Sequence, residues 1–74
     1  MEKKEKEPDS LGEALPLEIA RVRDRVLPHY DRLGPPGTIG AMLIRADLDE
    51  ASRATISGDV VAMLRVYETL KDIK

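Results

Sequence analysis

Residues 38–59, TIGAMLIRADLDEASRATISGD, carry two apolar helix faces and the break that ends them. Ala41, Ile44, Leu48, Ala51 and Thr55 recur at spacings of three and four, which align on one face of an α-helix. Ile39, Met42, Leu43 and Ala46 make a second apolar face, confined to the first half. A helix apolar on both sides near its start is expected to be covered on both sides there. Its small residues, Gly40, Ala41, Ala46, Ala51 and Ala54, let neighbours approach closely. Ser57-Gly58-Asp59 then breaks the pattern. Gly58 can take the left-handed conformation that ends a helix. Asp59 can cap the next helix and complement its dipole.

Working downstream, Val60, Met63, Leu64, Val66, Tyr67, Leu70 and Ile73 span a wide apolar arc, with Arg65, Glu68 and Asp72 on the solvent side. The short turn at Gly58 makes the central and last helices an antiparallel hairpin. The arc is wider than one partner helix needs, so either two helices cover it or part of it meets another chain. Met63, Val66, Leu70 and Ile73 are the residues expected to carry that contact. The spacing of Ala51, Ala54, Gly58, Asp59, Tyr67 and Leu70 resembles one unit of a tetratricopeptide-type helical repeat. The resemblance covers less than a third of the chain and rests on packing residues. One unit cannot form a solenoid, so no function follows from it.

Working upstream, Leu15, Ile19, Val22, Val26, Tyr30 and Leu33 mark one face of a first helix, with Pro16 at its opening. Pro28 lies inside this run, where it removes a hydrogen bond and meets the carbonyl of Asp24. It sits opposite the apolar seam, so the expectation is a helix kinked at Pro28 with the freed carbonyl toward water, and two shorter helices are the alternative. Gly34-Pro35-Pro36-Gly37 is a hard break, and Thr38 is expected to cap the central helix. The fold class is therefore all-α: a small three-helix domain over residues 11–74, behind a charged tail, residues 1–10, expected to be disordered.

Gly34-Pro35-Pro36-Gly37-Thr38 also resembles the phosphate-binding loop of the AAA ATPases, which reads Gly-Pro-Pro-Gly-Thr-Gly-Lys-Thr. The resemblance implies a nucleotide phosphate cradle. The chain departs from it where the chemistry begins. Ile39 replaces a flexible glycine, Gly40 the phosphate-binding lysine, and Ala41 the magnesium-binding hydroxyl. A helical pattern precedes the loop where the motif requires a strand. Nucleotide hydrolysis is thereby set aside. The loop is expected to be a rigid interhelical turn, with backbone anion binding as the remaining alternative.

Composition narrows the function classes. The chain has 74 residues, no cysteine, and Tyr30 and Tyr67 as its only aromatics besides His29. Its core must be built from Leu, Ile, Val, Met and Ala. So small a core gives only a few kcal/mol of net stability. Size alone puts homo-oligomerisation on an equal footing with a monomer. The formal net charge is −2, with acids and bases interspersed, which is not the profile of an electrostatic nucleic-acid binder. No apolar run follows the N-terminal charges, and no stretch approaches the length of a membrane span. A cytoplasmic location and no membrane contact are the expectations.

The candidates for chemistry are few. His29 has no second histidine and no cysteine with which to bind metal, and Asp31 beside it on a helix would point elsewhere. Asp47, Asp49 and Glu50 read as a solvated face, with Asp49 and Arg53 in the favourable order for a surface ion pair. No catalytic constellation, cofactor site or metal site is expected, and the chain is read as a non-enzyme. Arg21, Arg25 and Arg32 fall on one side of the first helix, with Glu18 at its edge. Such a stripe can dock phosphate or an acidic partner. The leading expectation is a small helical protein–protein interaction or self-association module. The alternative is a nucleic-acid or anion-binding accessory protein using the arginine stripe. Nucleic acid is the less expected partner, because Val60 and Val61 open the last helix and Arg65 is its only base before Lys71.

Overall fold

A computed structural model describes residues 10–74. The tail, residues 1–9, lies outside the described residues. Among the described residues every regular element is helical: α1 (Leu11–Arg21), a π turn (Val22–Val26), α2 (Leu27–Arg32), a short 3-10 turn (Pro35–Gly37), α3 (Thr38–Ser57) and α4 (Val60–Lys71). The first three run on without a break, so the chain forms three helical rods.

The first rod begins earlier than the apolar pattern implies. Ser10, read from sequence as the end of the charged tail, is extended and accepts a hydrogen bond from the Glu13 amide, which starts α1 at Leu11. Pro16 therefore sits inside α1 rather than at its opening. Its missing N–H would have met the carbonyl of Gly12, an exposed residue that water can reach. Around Pro28 the backbone stays helical. The preceding turn widens to π geometry, with the Leu27 amide reaching back to the Val22 carbonyl. A turn wound one residue wider makes room for the proline ring, and such π bulges are a known source of helix irregularity.

The link into α3 depends on close packing. Gly37 is buried, and a Cβ there would stand 2.3 Å from the Tyr30 carbonyl oxygen and 2.9 Å from the Leu33 Cβ. Gly40 lies under the Tyr30 ring, where a Cβ would meet ring carbons at 2.7 Å. Arg45 adds an ion pair across this joint, donating to both Asp31 carboxylate oxygens at 2.9 and 3.1 Å. Thr38 is not the cap the sequence suggested. Gly37 holds that position, and the Thr38 hydroxyl instead donates to the Gly34 carbonyl. With Gly34 at φ 73°, the Gly-Pro-Pro-Gly string closes a 3-10 turn whose amides are used internally.

At the other end of α3, Gly58 adopts φ 73° and ψ 12°, and its amide bonds to the Ala54 carbonyl. Asp59 then caps α4, accepting from the amides of Val61 and Ala62 at 3.1 and 3.3 Å. Two residues join the long helices, so α4 folds back along α3 as an antiparallel hairpin. The core lies where the three rods meet. Leu15, Val22 and Val26 come from the first rod, Ile44, Ala51 and Ala54 from α3, and Val66 and Leu70 from α4. Tyr30, Leu48, Met63, Tyr67 and Ile73 pack partly buried around it.

Candidate functional site: an uncovered apolar face on the central helix

The two apolar faces of α3 have different fates. Ala41, Ile44 and Ala51 are buried, with Leu48 packed against the core. This seam meets the first rod and α4. The second face finds no cover among the described residues. Ile39 is 72% exposed, and Met42 and Leu43 are each 62% exposed. The expectation that both sides would be covered is therefore corrected: the three rods close around one seam only. The first rod reaches α3 on the side of Gly40, through Tyr30, and leaves the neighbouring face open.

This face is contiguous. Ile39, Met42 and Leu43 are spaced i, i+3, i+4, so their side chains stand together over the first two turns. Leu33, also exposed, lies beside Gly37 at the foot of the helix. Beyond Ala46 the same face turns polar, with Asp49 and Arg53 joined in an ion pair and Glu50 exposed beside them. A second exposed apolar group, Ile56, Val60, Val61 and Leu64, lies at the far end of the hairpin. Among the described residues, nine large apolar side chains are exposed and six are buried. Scattered exposed leucines need no explanation, but a contiguous apolar face marks a contact surface.

The docking residues expected on α4 are placed differently. Val66 and Leu70 are 4% and 0% exposed and belong to the chain's own core. Met63 and Ile73 are half-buried against that core. The surplus in the wide arc is real, but it lies at Val60, Val61 and Leu64. Periodicity shows the width of an apolar arc and not which edge of it the neighbouring helices take.

The arginine stripe is divided. Arg21 turns inward across the end of α4, where its Nη2 donates to the carbonyls of Leu70 and Ile73, both at 2.9 Å, while its Nε donates to Glu18 at 3.1 Å. The Leu70 carbonyl already accepts from the Ile73 amide, and the guanidinium adds a charged donor at the negative end of the helix dipole. Arg21 is thus a clamp for α4. Arg25 and Arg32 remain exposed. Asp24 pairs with Arg23, a contact that holds its carboxyl below the usual carboxylate range, by hydrogen bonding first. His29 is exposed and meets the Tyr30 ring edge-on, with centroids 6.3 Å apart, while Asp31 is engaged by Arg45. Asp47 has its carboxyl raised above the usual range, by partial burial first and then by the nearby charge of Glu50. No three His, Cys, Asp or Glu side chains converge as metal ligands among the described residues. No described helix is long and apolar enough to cross a membrane.

No family model, no curated protein and no solved structure matches the chain.

Proposed function

We propose that this protein is a small helical self-association module whose contact surface is the open face of α3, Ile39, Met42 and Leu43, with Leu33 beside it. The observation that supports this reading is the exposure of all four side chains on one side of a chain with few large residues to spare for its core. Burying one such side chain fully is worth about 1.5–3 kcal/mol. Each is already about one-third buried, so six of them, three from each of two copies, contribute on the order of 6–12 kcal/mol. Association costs at least about 4 kcal/mol of lost rotational and translational freedom. The upper end of that balance, about 8 kcal/mol, gives a dimer of roughly micromolar Kd, and the proposed dimer lies at this upper end. Reversible assembly suits a regulatory or adaptor role better than a permanent one.

The alternative use of the first rod as an anion-binding stripe has less support. Arg21 is withdrawn into the clamp on α4, which leaves Arg25 and Arg32. The reading is tested by light scattering from low micromolar to several hundred micromolar protein. A mass that rises toward twice the chain mass supports self-association. A constant monomer mass over that range refutes it.

A further inference from the structure

The geometry points to a specific arrangement: two copies pair their α3 helices antiparallel, across a two-fold axis between Met42 and Leu43. This rests on the self-association reading above and adds its register. The apolar face runs from Ile39 to Ala46, so its midpoint lies between Met42 and Leu43. A two-fold axis there sets Ile39 of each copy against Ala46 of the other, Met42 against its own counterpart on one edge and Leu43 against its own counterpart on the opposite edge. A closed, self-complementary contact of this kind is the commonest way for identical chains to associate. A parallel pairing would instead place the charged halves, with Asp49, Glu50 and Arg53, directly against their own copies.

Charge favours the antiparallel register. With a rise of 1.5 Å per residue, Glu50 stands about 11 Å from the axis, and the partner's first helical residue about 7 Å from it on the same side. Glu50 therefore reaches just past the start of the other copy's α3. That start has no side-chain cap and no acidic residue in its first turn, whereas Ser10 caps α1 and Asp59 caps α4. A carboxylate is stabilising at such a helix end. Asp49 on the same face is already held by Arg53, which leaves Glu50 as the carboxylate placed to serve it. The second apolar group, from Ile56 to Leu64, lies at the opposite end of α3 and stays outside this contact.

The absence of cysteine allows a direct test in the full chain. Met42→Cys places one thiol per chain beside the axis, on the same edge of the interface. Ile56→Cys places its thiols about 40 Å apart. A disulfide needs Cα atoms within about 7 Å. Under a mild oxidant, Met42→Cys is expected to form a covalent dimer and Ile56→Cys is not. Leu43→Cys is the second variant at the axis and should behave as Met42→Cys does. Glu50→Lys is expected to raise the dimer Kd several-fold, since each dimer contains the contact twice. A chain that doubles in mass yet cross-links through Ile56→Cys, or through neither axis variant, overturns this register while self-association stands. An unchanged Kd in Glu50→Lys likewise overturns the placement of that carboxylate. A monomer at every concentration overturns both the register and the reading beneath it, and leaves a different protein as the occupant.

Discussion

Replacing Arg21 with alanine should separate two roles that the sequence leaves indistinguishable. If Arg21, Arg25 and Arg32 formed one ligand-binding stripe, each alanine variant would weaken ligand binding and leave stability nearly unchanged. The structure instead gives Arg21 two hydrogen bonds to carbonyls at the end of α4, each 2.9 Å. Hydrogen bonds to a charged group contribute about 1.5–3 kcal/mol each when well buried. The Arg21 side chain retains 33% of its exposure, and water can reach the carbonyls once it is gone. Discounting for that screening leaves a loss of about 1–2 kcal/mol for the pair. For a domain of this size, that lowers Tm by roughly 5–15 °C. Arg25→Ala and Arg32→Ala, at exposed positions, should stay within about 0.5 kcal/mol of the parent. Thermal and urea unfolding followed by circular dichroism measures all three under one set of conditions. Equal stability of Arg21→Ala and Arg25→Ala would refute the clamp and return Arg21 to the stripe.

Three further outcomes follow from the packing. Val66→Lys or Leu70→Lys should collapse the helical signal, because each puts a charge into the core; a variant that keeps its helix content would place these residues on a surface. Gly37→Ala should cost about 1–3 kcal/mol through its collision with the Tyr30 carbonyl, whereas Gly12→Ala, which meets only the Ser10 hydroxyl at 3.8 Å, should be neutral or stabilising; equal unfolding midpoints for the two would contradict the close approach. Asp47 binds its proton more tightly folded than unfolded, so its contribution to stability grows as pH falls through its raised folded value and is complete below the unfolded one. Asp47→Asn should remove that part of the pH dependence, read as the difference in urea midpoint between neutral pH and about pH 4; an unchanged slope would refute it.

Much of the fold is legible in the sequence because it is written in local signals. The seam of α3 and the Gly58-Asp59 junction each depend on residues within a few positions of one another, and both appear in the structure, except that the seam ends on buried Ala54 and leaves Thr55 exposed. The missed details depend on contacts between distant parts of the chain. Nothing near Gly37 in sequence shows that a backbone carbonyl from Tyr30 presses against it. Nothing near Arg21 shows that the end of α4 arrives there. The start of α1 is hidden for another reason: Gly12 and Glu13 interrupt the apolar pattern, and Ser10 adjoins the charged residues before it. The candidate site was half visible. The second face of α3 stands out in the sequence, but its lack of cover depends on where the first rod crosses α3. That crossing is set by Tyr30 seated on Gly40.

Whether the open face of α3 joins two chains is decided by one comparison. The mass of the parent chain and of a Met42→Lys/Leu43→Lys double variant should be measured by light scattering at several hundred micromolar, with helix content checked on the same samples. Both positions are exposed, so the variant should keep its helicity. The expected result is a mass approaching a dimer for the parent and a monomer for the variant. Equal masses for two equally folded proteins would contradict it.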